Sequence, residues 1–256
     1  MLVIREEQMA VLAQAVARTF ENRLLEHLQE FFPRQCQILG VEQSRELIRL
    51  GIAQAEKYGL DTERDVYLYV GLMCMLGSHF DQDPQLPWAA QILADENIAD
   101  PSDRADRLHD RAMAFLNEAA GQESQYLDRA LRRWCELPVS ALTRTGDDKQ
   151  SSFGDYLLKL LYGLFAEKYH AVGDPAIRQL VRQGYQAARE YGLTGEAGMT
   201  TYIGLAFMLG GGFDRDPRFP WAGAVLNDAG LGDPLKKGEA LHQSAVAQLK
   251  QWLEEG

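Results

Sequence analysis

Two pairs of aspartates, Asp81-x-Asp83 and Asp214-x-Asp216, are the residues of this chain best suited by type and spacing to do chemistry. Hard divalent cations prefer several carboxylate oxygens, so each pair is a candidate metal site. The pattern departs from a calcium loop of the EF-hand kind. Its third ligand position is not filled, no glycine stands sixth, and Pro84 or Pro217 stiffens the chain early. Aspartate and proline also favour turns and helix starts without any metal. Capping is therefore the leading expectation, with Asp81, Asp83, Asp214 and Asp216 held as metal candidates. A metal-dependent enzyme built on them would lose activity, and keep its fold, on Asp83→Asn.

The aspartates lie in the longest stretch of an internal duplication. Residues 80–89 read Phe-Asp-Gln-Asp-Pro-Gln-Leu-Pro-Trp-Ala, and residues 213–222 read Phe-Asp-Arg-Asp-Pro-Arg-Phe-Pro-Trp-Ala. Residues 20–118 align with 153–251 at a constant offset of 133, without a gap, and 37 of the 99 positions are identical. Positions the fold needs should recur in both copies, whereas a unique active site need not. Phe80, Pro84, Pro87 and Trp88, with Phe213, Pro217, Pro220 and Trp221, therefore read as a structural motif. In it the prolines set the path into a short helix and the tryptophans sit in the core under the loop.

Other chemistries are weaker. His109 and His242 are the only histidines shared by the copies, and a histidine repeated on an apolar helical face reads as packed. His79 aligns with Gly212 and His27 with Leu160. No nucleophile elbow, phosphate loop or zinc-protease motif is present. Gly210, Gly211 and Gly212 lack the lysine and serine of a phosphate cradle and read as a flexible joint. The three cysteines have no zinc-type spacing. No catalytic residue and no cofactor is expected. Trp134 and Trp252 have no counterparts and read as a contact surface or as packing between the copies.

The elements that must position these residues are helical. Phe20, Leu24, Leu25, Leu28 and Phe32 predict a helix over 5–31, ended by Pro33. Leu47, Gly51, Ala55 and Tyr58 predict a second over 43–58, with Gly59 as its C-terminal cap. Gly51 and its copy Gly184 cost a helix roughly 1 kcal/mol each, so close approach of another helix is expected there. Thr62 and Asp65 resemble a capping box for a third helix ending at Gly77. A short helix follows over 87–95. Asp100-Pro101 and Asp233-Pro234 start the last helix of each copy, and Asp174-Pro175 starts the second helix of the second copy. Residues 122–137 predict a connecting helix stopped by Pro138, and 143–152 a loose polar stretch. The fold class is all-α: two tandem, pseudo-symmetric units of about five helices, 1–120 and 153–256, joined by 121–152.

Acidic residues number 37 against 26 basic, a net charge of −11. That balance opposes nucleic-acid binding, which needs a cationic surface. At 46% hydrophobic residues the chain can build a real core. No apolar run reaches the roughly 18–20 residues that cross a bilayer, and the charged N-terminal stretch does not read as a signal peptide. A cytoplasmic location without membrane partners is expected.

The Ile-Arg-x-x-Gln-Met at residues 4–9, Phe32-Pro33, Lys57-Tyr58-Gly59 and the motif at 80–89 together carry a resemblance. The chain resembles a group of small, all-helical bacterial proteins, mostly uncharacterised, encoded near type VI secretion spike, PAAR or toxin genes, here in doubled form. The second copy departs at its start, where Ser151-Ser152-Phe153 replaces the long lead-in. The resemblance implies a genetic setting and a non-enzymatic, protein-binding role as chaperone or adaptor for a secreted toxin or spike component. The runner-up is an immunity protein neutralising a cognate toxin. Oligomeric state is not legible.

Overall fold

Phe32 breaks the first long helical run for a single residue, with φ −130° and ψ 50°. It separates α1 (Glu6–Phe31) from α2 (Pro33–Glu56). The computed structural model describes residues 6–254, so Arg5 and the Ile4-Arg5 end of the first motif lie outside the described residues. Pro33 ends one helix as expected but starts the next at once, because proline at the first helical position sacrifices no hydrogen bond. The sequence reading overlooked this early part of α2, which Gly40 kinks at φ 73°. A glycine tolerates that angle without a Cβ clash.

The chain continues through α3 (Glu63–Leu76), α4 (Pro87–Leu93), α5 (Pro101–Ala119) and α6 (Gln125–Glu136). Then come α7 (Phe153–Leu164), α8 (Ala166–Val172), α9 (Asp174–Glu190), α10 (Glu196–Leu209), α11 (Pro220–Leu226) and α12 (Pro234–Glu254). Short 3-10 turns make up the remaining regular structure, and no strand occurs among the described residues. Thr62 caps α3 by accepting from the Asp65 amide, and Asp100 caps α5 by accepting from Ser102. Asp174 behaves differently from the expectation. Gly173 holds the cap position, and the Asp174 carboxylate takes the Tyr169 hydroxyl and the Arg178 guanidinium instead.

Buried apolar side chains form two clusters. One gathers Leu24, Leu47, Val70, Met73, Phe80 and Leu108. The other gathers Leu131, Trp134, Leu161, Ile203, Phe207 and Leu241. Residues 143–152 are not loose: Arg144 holds Glu196 at 2.9 Å and the Ser151 carbonyl at 2.8 Å. Helices α5 and α12 each anchor a loop by the same device. Arg104 donates to the carbonyls of Tyr58 and Leu93, and Lys237 to those of Tyr191 and Leu226.

The mid-helix glycines are close-approach sites. A Cβ on Gly51 would stand 2.5 Å from Val70 Cγ2 on α3, and one on Gly184 would stand 2.9 Å from Ile203 Cγ1 on α10. Val70 is β-branched and fully buried, so it cannot swing away. Gly51→Ala should therefore destabilise by about 1–3 kcal/mol in urea unfolding, despite alanine's better helix propensity.

Candidate functional site

The first aspartate of each pair sits in a one-turn 3-10 segment, Phe80–Gln82 or Phe213–Arg215, and the second, Asp83 or Asp216, follows it in extended backbone. The segment's leading phenylalanine is sunk in the core, at 0% exposure for Phe80 and 1% for Phe213. Pro87 and Pro220 then occupy the first turn of α4 and α11. The tryptophans that follow are less buried than expected. Trp88 and Trp221 are half-buried, and Ala89 and Ala222 take the fully buried positions. Helical geometry turns successive side chains by about a quarter-circle, so only one of the two neighbours can face the core.

The first aspartate of each pair is a tyrosine acceptor. Tyr58 donates to Asp81 Oδ2 and Tyr191 to Asp214 Oδ2, both at 2.8 Å. Burial, then the hydrogen bond and charge of the carboxylate, push the Tyr191 hydroxyl up to about 12, and Tyr58 shifts the same way. Both hydroxyls therefore stay protonated and keep donating. The bonds tie the ends of α2 and α9 to the loops.

The second aspartates cross between the halves. Asp83 Oδ1 accepts from its own Gln85 amide at 2.8 Å, the turn-capping role expected of one aspartate in each motif, while Oδ2 accepts from the Gly211 amide at 2.7 Å. Asp216 Oδ1 accepts from the Arg218 amide at 2.9 Å, and Oδ2 from the Ser78 amide at 2.9 Å. Gln85 reaches the Ala206 carbonyl and Arg218 the Cys74 carbonyl. The loops thus exchange hydrogen bonds through equivalent aspartates. The glycine run is part of this joint and not a flexible hinge. A Cβ on Gly211 would fall 3.0 Å from Asp83 Oδ1, and one on Gly212 would fall 2.5 Å from the His79 ring.

One substitution makes the two crossings electrostatically unlike. Arg218 closes on Asp216 at 2.8 Å, with both side chains 5% or less exposed. Burial alone would raise Asp216, but the charge and hydrogen bonds of Arg218 prevail and hold its carboxyl below the usual value. Gln85 supplies no charge, so burial raises Asp83 against the amide donors and the more distant Lys168. Lys168 lies with Asp83 on a cavity of about 70 Å³, walled by Leu86, Phe115 and Met208. Burial lowers its amine to about 8, partly offset by Asp83. Among the described residues, no group of three or more His, Cys, Asp or Glu side chains is placed to hold a metal ion. Tyrosine hydroxyls, backbone amides and Arg218 take most of the carboxylate oxygens that could serve one, while Asp81 Oδ1 is buried without a hydrogen-bond partner.

His109 and His242 part company. His242 is buried against Trp134, with ring centroids 6.0 Å apart, while the His109 side chain is 38% exposed beside Asp110. Burial lowers the His242 pKa from 6.5, and burial with the Arg215 charge lowers His79. The unfolded chain takes up these protons as the pH falls through about 6.5 while the native protein resists. Their contribution to stability is whole above that pH and shrinks below it. Urea unfolding at about pH 7.5 and about pH 5.5 should show the loss, and His242→Gln should make it smaller.

A groove on the first half is a feature the sequence did not disclose. It has a volume of about 660 Å³ and is lined by His27, Phe31, Phe32, Tyr67, Gly71 and His109, among others. Phe31 is 60% exposed, and His27 stacks on Tyr67 at 4.6 Å. Glu63 and Arg64 edge it with both signs of charge. The helical spacing of Phe31 and Phe32 was visible, but that no element among the described residues covers them is a tertiary fact.

No family model, curated protein or solved structure matches this chain. Among the described residues, no helix is long and apolar enough to cross a membrane.

Proposed function

We propose that this is a non-enzymatic, protein-binding accessory factor, an adaptor or chaperone that acts in the cytoplasm on a secreted toxin or spike component. The observation that carries the binding role is the open aromatic groove of the first half. Concave, mostly apolar recesses of several hundred cubic ångströms are the usual form of a binding site. The client class comes from the resemblance of the motif at 80–89, and the net charge of −11 suits a basic client. The same proposal includes two tandem pseudo-symmetric units, supported by the 133-residue repeat and by the reciprocal aspartate bonds. In that arrangement the aspartate pairs join units, and binding falls to the outer faces.

The test is capture of the tagged protein from its native cell, with bound proteins identified by mass spectrometry. A toxin or spike protein at near-stoichiometric amount is expected. An abundant, folded bait that brings down nothing would count against the reading. Rescue of a poisoned cell without improved client solubility would move the assignment to an immunity protein.

A further inference from the structure

The duplication supplies a template for what the groove holds. Adding 133 to the positions of His27, Phe31, Phe32, Tyr67, Gly71 and His109 gives Leu160, Leu164, Phe165, Thr200, Gly204 and His242. In the second half five of those positions are buried, while Leu160 stays half-buried on an open recess it shares with Leu164 and Arg133. Trp134 of α6 lies on Gly204, so close that a Cβ there would meet its ring at 2.3 Å, and it packs beside His242. α6 packs along α12, and the turn after it, Val139–Leu142, along α10. Trp134 is 0%, Leu131 4% and Leu142 0% exposed. The first half has the same glycine without the tryptophan. A Cβ on Gly71 would find only the Phe32 ring, at 3.8 Å. Thr201 is 1% exposed and His242 6%, whereas their counterparts Leu68 and His109 remain half-exposed to exposed.

From this correspondence, and resting on the protein-binding reading above, we infer that the first-half groove takes an amphipathic helix of the client that presents a tryptophan, or a comparable aromatic, onto Gly71 between Phe32 and His109. The covering helix in the second half defines the pattern: Leu127, Ala130, Leu131 and Trp134 on one face, with Arg129, Arg132 and Arg133 elsewhere around the helix. Apolar anchors three and four residues apart are how a helix seats in such a groove. The walls are not identical. Tyr67 replaces Thr200 and stacks on His27 and Phe20, giving the first-half groove an aromatic side suited to receive another ring.

A fluorescein-labelled peptide of residues 122–142, with Cys135→Ser to prevent oxidation, is the probe. Titrated with the full-length protein in fluorescence anisotropy, it should bind saturably at one site. Trp134→Ala in the peptide should weaken binding at least about tenfold. Gly71→Leu in the protein fills the floor of the groove at a buried helical position whose added Cβ would meet only the Phe32 ring, at 3.8 Å, and should abolish binding without lowering the melting temperature. No saturable binding, or binding unchanged by Gly71→Leu, would overturn the inference. Self-association that Gly71→Leu abolishes would overturn it too, by assigning the groove to a second copy. Client capture separates this from the broader reading. A client held equally by wild type and Gly71→Leu refutes the groove and leaves the adaptor role standing. A client lost only in Gly71→Leu supports both.

Discussion

Asp216→Ala should cost the fold about 3–5 kcal/mol, the usual penalty for removing one partner of a buried ion pair. Arg218 would keep its charge at 5% exposure with no carboxylate opposite, and the Ser78 amide would lose its acceptor across the junction. Asp83→Ala should cost less, about 2–3 kcal/mol. Its hydrogen-bond partners, the Gly211 and Gln85 amides and the Gln85 side chain, are neutral, and the one charge that loses a counterpart, Lys168, is more distant. Urea unfolding at neutral pH would measure both. Adding Arg218→Met to Asp216→Ala should recover much of the loss, because an apolar pair can replace a buried ionic one. The acid dependence has a definite sign. Asp216 is held below its ordinary 3.8, so its contribution is whole above that value and fades as the pH falls through the lowered one. Wild type and Asp216→Ala should therefore converge in strong acid.

The second large effect concerns the cover of the second-half groove. Trp134→Ala should destabilise by about 3–5 kcal/mol, as emptying a fully buried aromatic site does. Gly204→Ala should cost about 1–3 kcal/mol, since the new methyl would collide with a ring that has no room to retreat. Gly71→Ala provides the contrast. With nothing but Phe32 at contact distance, it should be neutral or stabilising by up to about 1 kcal/mol, alanine's advantage in a helix. Equal penalties at Gly71 and Gly204 would mean that the two grooves are alike, contrary to the geometry.

These contrasts also show which parts of the molecule were legible beforehand. Helices, caps and the Gly51 and Gly184 crossings could be read because periodicity and backbone chemistry are local. That one aspartate of each motif would cap the following turn was legible for the same reason, though not that Asp83 and Asp216 would be the ones. Their second hydrogen bond was not, because Ser78 and Gly211 are brought to them from 138 and 128 residues away. Pro33 misled because proline closes one helix and opens another with the same φ. Trp134 was readable only as packing or contact. Its burial depends on α6 folding onto α10 and α12, a choice that no pattern within residues 125–136 encodes. The groove was invisible in turn because it is defined by the lack of a covering element among the described residues.

On the proposed reading the aspartate loops hold the fold together and the groove binds the client. Capture from the native cell with three baits, wild type, Gly71→Leu and Asp81→Asn, tests it most directly. A client should be recovered with wild type and with Asp81→Asn where that variant remains folded, and lost with Gly71→Leu at an unchanged melting temperature. Retention by Gly71→Leu, together with loss in a fully folded Asp81→Asn, would reverse the assignment and place the function at the aspartates.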